Sequence, residues 1–230
     1  MRNTFTVPDD GVFQGQSNDN VELLKAWAGS TLAYAVFITG ANNLMSIGFA
    51  VNLVLAAIIC GLAFVLHELA HRVVARHYGA QAHFVANNGW LVLSILIAFA
   101  GVFIAAPGAV WHRGLLTKQQ GGLIALAGPA TNLVLSVLFF ITLSALFIGS
   151  DVAGISAPSW LFTLCYVGFS FNAWLGLFNM IPAGPFDGAK VLAWNPIVFG
   201  VTIGIGVLLV FGLRNETVLS SLYRFALSIF

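Results

Sequence analysis

SIGFAVNLVLAAIICGLAFVLHELAHRVVARH, residues 46–77, decides what kind of molecule this is. Its first two-thirds are almost unbroken Ile, Leu, Val, Ala and Phe, and no Asp, Glu, Lys or Arg occurs between Lys25 and Glu68. A helix needs about 20 apolar residues to cross a bilayer, and this run exceeds that. Near its end the pattern is interrupted by His67, Glu68 and His71. Ionisable side chains beside hydrocarbon cost a few kcal/mol each, so three together call for a compensating partner.

The rest of the chain has the same character. Of 230 residues, 59% are hydrophobic and 7% are charged, and the mean hydropathy is +0.94. Soluble domains carry about 25% charged residues, so this is the composition of an integral membrane protein. A net charge of +1 offers no basic face to nucleic acid. The polar stretch 1–20 lacks a basic start followed by an apolar core, and reads as a flexible cytoplasmic tail rather than a cleaved signal peptide. Cys60 and Cys165 each sit deep in apolar sequence and read as small buried hydrophobes.

Working outward from 46–77, further spans are expected at roughly 22–40, 121–148, 157–180 and 196–213, with a shorter sixth at 217–230 that contains Arg224. The stretch 88–110, NGWLVLSILIAFAGVFIAAPGAV, is long enough to cross once. A single crossing would put Arg113 and Lys118 on the opposite side from Arg72 and Arg76, against the positive-inside rule. Gly101, Pro107 and Gly108 interrupt the run, so a strand pair, a re-entrant helix and a full span all stay open. An even number of passes puts Arg2, Lys25, Arg72, Arg76, Arg113, Lys118 and Lys190 inside and Arg214 outside. The expectation is an all-α, multi-pass bundle of about six transmembrane helices in the cell membrane. Both termini are then cytoplasmic, and a small strand or re-entrant element at 79–120 separates the second and third helices. Residues 21–230 form a single membrane domain.

His67 and His71 stand four residues apart, about 40° net on a helix with about 6 Å of rise, so both imidazoles leave one face and can meet one ion. Glu68 follows about 100° further round, where it can take a proton from water at the metal's open position. With five His and three Glu in the chain, chance yields this H-E-x-x-H on the order of once in a thousand such sequences. The plain reading is a pair of helix-end histidines with Glu68 paired to Arg72 one turn on.

Catalytic zinc takes three protein ligands and leaves one position open. Asp151 lies in a connection on the far side, and Glu22 and the acidic residues before it precede the first span. Asp187 remains, in FNMIPAGPFDGAKVL at 178–192. Pro182, Gly184 and Pro185 break the helix there, at about the depth of the two histidines. Alone, this segment would read as a helix stop with Asp187 capping the next helix; beside H-E-x-x-H it reads as the third ligand. In LIALAGPATNLVL, 123–135, Gly128 and Pro129 suit a helix start or close packing, with Asn132 polar on the next turn. His77, His83 and His112 read as surface residues.

At these residues the chain resembles the site-2 protease family of intramembrane zinc metalloproteases. The matching elements are His67-Glu68-Leu69-Ala70-His71, Gly128-Pro129-Ala130-Thr131-Asn132 and Asn179-x-x-Pro182-x-x-x-x-Asp187-Gly188, in order, over about residues 22–195. The resemblance implies one Zn²⁺ per chain held by His67, His71 and Asp187, with Glu68 as general base and acid. It also implies that Asn179 orients the substrate or stabilises the oxyanion. Strands are implied between the metal helix and the G-P-x-x-N helix, one of which can pair with an unwound substrate. The expected activity is hydrolysis of peptide bonds within or near transmembrane helices of other proteins, with the active site toward the cytoplasmic side. Transmembrane substrates and the lipid bilayer are the implied partners; the sequence does not give the oligomeric state. A zinc protease of the membrane face with Glu as third ligand is opposed by the lack of any Glu between 69 and 215. The alternatives carried forward are an inactive pseudo-protease and a metal-binding transporter.

Overall fold

A computed structural model describes residues 18–104, 107–154 and 156–213. Helix α1 (Asp19–Thr39) opens on Asn18, whose side chain accepts from the Asn20 amide at 2.9 Å, and closes at Gly40. Its first residue lies just before the expected boundary at residue 21. The next helix is capped by Ser46, whose hydroxyl accepts from the Phe49 amide. It runs as α2 (Ile47–Cys60), a π-helical turn (Gly61–Val65) and α3 (Leu66–His77), one continuous helix of 31 residues. The π turn widens the coil beside Ala57, whose carbonyl accepts from the indole Nε1 of Trp27 on α1 at 2.8 Å.

The stretch with three open readings resolves into a strand, a helix and a strand. Strand β1 (Gln81–Ala86) pairs antiparallel with β2 (Gly108–Arg113), with Gln81 opposite Arg113 and Ala86 opposite Gly108. Between them lies α4 (Asn88–Phe99). Its 12 residues rise about 18 Å, short of the roughly 30 Å hydrocarbon core. The Asn87 amide donates to the Pro107 carbonyl at 2.9 Å, so the excursion leaves and returns at one place. The element is therefore a helix carried in the loop of a hairpin. Gly108 fits that hairpin because a side chain there would collide with the Val85 carbonyl.

Helix α5 (Lys118–Ala153) starts with a capping box. The Thr117 amide donates to Gln120 Oε1 at 2.9 Å, and the Gln120 amide to Thr117 Oγ1 at 3.2 Å. Gly128 and Pro129 therefore lie inside this helix, and the expectation of a helix start there is corrected. Helix α6 (Ser159–Asn179) follows, then the short α7 (Asp187–Trp194) and α8 (Pro196–Val207), which a π-helical turn extends to Gly212.

Among the described residues four helices are long and apolar enough to cross a membrane: Asp19–Thr39, Ile47–His77, Lys118–Val152 and Ser159–Asn179. Pro196–Gly212 is apolar but shorter, and the proposed span at 217–230 lies outside the described residues. The molecule is thus a helical membrane protein with a small two-stranded sheet.

Two compact units divide the chain, one ending at Ile124 and the other beginning at Ala125. In the first, Leu23 and Ala26 of α1 pack with Phe84, Ala86 and Leu91, while Ala33 and Val36 meet Ala98 of α4. In the second, Leu133 of α5 packs with Phe169 and Ala173 of α6 and with Leu209 and Val210. The distribution of side chains is that of a protein solvated by lipid. Val51, Val54, Leu96, Leu138, Ile141, Trp160 and Phe211 are exposed, whereas Ala33, Ser136, Asn132 and Asn172 are buried.

Candidate metal centre

Helix α3 carries His67 and His71 one turn apart, and both side chains are buried, at 4% and 7% exposure. Their rings meet edge to face with centroids 4.7 Å apart, and the two Nε2 atoms lie 3.0 Å from each other. Two nitrogens bound to one tetrahedral zinc at 2.0–2.1 Å would stand about 3.3 Å apart, so the pair is close to the spacing of a coordination edge. His71 Nδ1 lies 2.7 Å from the Ile124 carbonyl. A carbonyl can only accept, so Nδ1 donates to it, and in the neutral ring the lone pair is then on Nε2, on the side of His67. That is the tautomer a metal ligand requires, fixed by a backbone acceptor.

Glu68 follows His67 on the same helix and is partly buried. One turn on, the Arg72 guanidinium donates to Asp19 at the start of α1. His77 lies at the exposed end of α3, and His83 and His112 lie on β1 and β2.

In the second unit, α6 ends at Asn179 and the chain turns through Pro182, Gly184 and Pro185 before α7. Asp187 is the first residue of α7, one residue inside Phe186, which holds the cap position. It is therefore not the helix cap that the bland reading assigned. It is 8% exposed, and Lys190 Nζ lies 3.7 Å from its Oδ1. Gly188 must be glycine, because a Cβ there would strike the Met180 carbonyl and crowd that of Ile181. The Asp-Gly pair is thus a helix start pressed against the preceding helix end. Asn179 donates its Nδ2 to the Leu175 carbonyl at 2.9 Å.

Asn132, singled out in the sequence, meets partners that the sequence reading did not name. Asn132 of α5 donates to Asn172 Oδ1 of α6 at 3.0 Å, Asn172 donates to the Gly168 carbonyl at 2.9 Å, and Ser136 donates to the Phe169 carbonyl at 3.0 Å. Asn172 stands two turns before Asn179 in an otherwise apolar helix, a signal that was available. Of the two acidic residues assigned to the polar approach to the first span, Asp19 binds both α3 and β1, and Glu22 binds β1.

A buried H-E-x-x-H on one helix face is the arrangement of zinc metalloproteases. Comparison with curated proteins gives the family. Over 175 residues the chain is 40% identical to "Putative zinc metalloprotease MJ0611" of Methanocaldococcus jannaschii, covering 75% of this chain and 84% of that protein. It is 35% identical over 143 residues to "Putative zinc metalloprotease Rip3" of Mycobacterium tuberculosis, covering 61% of this chain and 31% of that one. It is 28% identical over 142 residues to "Putative zinc metalloprotease YwhC" of Bacillus subtilis, covering 56% and 64%. The chain belongs to the site-2 protease family of zinc metalloproteases. No family model and no solved structure matches it.

Proposed function

We propose that the protein is an intramembrane zinc endopeptidase that hydrolyses peptide bonds within or near transmembrane helices of other proteins. The observation that carries this reading is the buried pair His67 and His71, whose Nε2 atoms converge to 3.0 Å within a helix of membrane-crossing length. His67, His71 and Asp187 are the ligand set, two imidazoles and one carboxylate, a donor combination suited to zinc. When bound, zinc supplies a Lewis acid for the scissile carbonyl and lowers the pKa of the attacking water.

The chain's own residues do the rest. Glu68 takes the proton of the attacking water and returns it to the leaving amine. The Ile124 carbonyl holds the His71 tautomer. Asn179, at the end of α6, orients the substrate or donates to the oxyanion as the carbonyl becomes tetrahedral. A helical substrate hides its carbonyls in its own hydrogen bonds, so it must unwind before attack. Pairing of the unwound segment along β2 offsets those lost bonds. Lysine and arginine placement favours cytoplasmic termini and a site toward that side.

The test uses purified protein reconstituted with a single-span substrate. Chelation should abolish cleavage and added zinc should restore it, while Asp187→Ala should lose most of its bound metal and its activity together. Full zinc occupancy in Asp187→Ala would assign the third ligand elsewhere.

A further inference from the structure

In an antiparallel pair, alternate residues turn their backbone groups toward and away from the partner strand. The Asn87–Pro107 bond sets the phase, so the amides and carbonyls of Ala82, Phe84 and Ala86 point away from β2. That outer edge of β1 is closed by side chains. The Phe84 amide donates to Asp19 Oδ1 at 2.7 Å, and the Ala86 amide donates to Glu22 Oε2 at 3.1 Å. The Ala82 carbonyl accepts from Arg76 Nη2, also at 2.7 Å.

Asp19 also grips the metal helix. Asp19 Oδ2 accepts from Arg72 and from Arg76, the latter at 3.1 Å. One carboxylate, 14% exposed, thus joins α1, α3 and β1. Asp19 and Glu22 lie three residues apart at the start of α1, facing strand residues two apart. The helical spacing therefore matches the strand repeat.

We propose that Asp19, Glu22 and Arg76 form a clasp that fixes the depth of the sheet relative to His67 and His71, and so sets which substrate bond is cut. This rests on the protease reading above, with substrate paired along β2. With the outer edge of β1 closed by side chains, an extended segment is directed to β2. A slip of the sheet against α3 would carry the paired segment past the metal by one or more residues. The three residues are positioning residues and touch no reacting atom.

The experiment compares wild type, Asp19→Ala, Asp19→Asn and Glu22→Ala in liposomes with a single-span substrate. It reads cleavage position by mass spectrometry, zinc content, and hydrogen exchange of the amides of residues 81–86. Wild type should cut at one bond and protect the Phe84 and Ala86 amides. Asp19→Ala should keep its zinc, lose protection at Phe84, cut at several neighbouring bonds and lose roughly ten- to a hundred-fold in kcat/KM. Asp19→Asn keeps an acceptor for the Phe84 amide and should return to a single cut. A merely structural role would lower the rate without moving the cut. Should Asp19→Ala not fold, Glu22→Ala provides the same comparison at Ala86. An unchanged single cut in Asp19→Ala or Glu22→Ala, or unprotected Phe84 and Ala86 amides in wild type, would overturn the proposal. A wild type that cuts no spanning substrate would end the protease reading and the register claim with it, while amide protection would still report the clasp.

Discussion

His71 has two ring nitrogens with different duties. Nδ1 is committed to the Ile124 carbonyl, which in the neutral ring puts the lone pair on Nε2, on the side where His67 Nε2 lies 3.0 Å away. Neither imidazole is a surface group that happens to recur four residues on; both are buried, and burial of paired polar rings is costly without a function for them. Gly188 makes a comparable point for the other half of the motif. Its space is filled by the carbonyls of Met180 and Ile181, so Gly188→Ala must push the start of α7 away from the end of α6. Gly188→Ala should therefore lose at least half of its bound zinc, since Asp187 is carried on the displaced turn, and should be destabilised by about 1–3 kcal/mol. Metal analysis of the purified variant checks the first effect and denaturant unfolding in detergent the second. Wild-type zinc content in Gly188→Ala would show that Asp187 does not depend on this contact.

Within the second unit, α5 and α6 are joined by a short polar ladder in an apolar setting. Asn132 reaches Asn172, Ser136 reaches the Phe169 carbonyl, and Gly176 lets Leu133 approach. Hydrogen bonds between membrane helices average about 0.6 kcal/mol and reach about 1.7. A double-mutant cycle of Asn132→Ala and Asn172→Ala should give a coupling energy within that range, measured by unfolding in detergent; zero coupling would remove the contact from the account. Much at this scale was legible in the sequence. Spans expected at 22–40, 46–77 and 157–180 fold as Asp19–Thr39, Ile47–His77 and Ser159–Asn179, because the length of an apolar run is a local property. The stretch 88–107 was not legible. Its apolar residues continue past Phe99 without a polar boundary, and the pairing of Asn87 with Pro107 that turns it back is a long-range fact. The π turn at Gly61–Val65, close to the Ala57 carbonyl that accepts from Trp27 of another helix, leaves no compositional trace. Asp19 and Glu22 looked like part of a solvated approach because their strand partners lie more than sixty residues downstream.

Among the described residues, apolar side chains are exposed where a soluble protein would be polar, while Glu22, His67, His71, Asp187, Asn132 and Asn172 are buried. Membership of the site-2 protease family supplies the class of chemistry, and the lipid-facing surface limits where that chemistry can operate. The two-histidine half of the candidate centre was readable from spacing, because four residues on a helix is a geometric statement. Asp187 was reached by elimination and resemblance, since nothing local in Gly-Pro-Phe-Asp-Gly announces a ligand over a turn. The central claim is that this site hydrolyses a peptide bond with Glu68 moving the proton. Its most direct test is cleavage of a single-span substrate in liposomes by wild type and Glu68→Gln, with zinc measured in both. Glu68→Gln should hold as much zinc as wild type and lose roughly 10²- to 10⁴-fold in rate. Equal cleavage by the two proteins would contradict that claim.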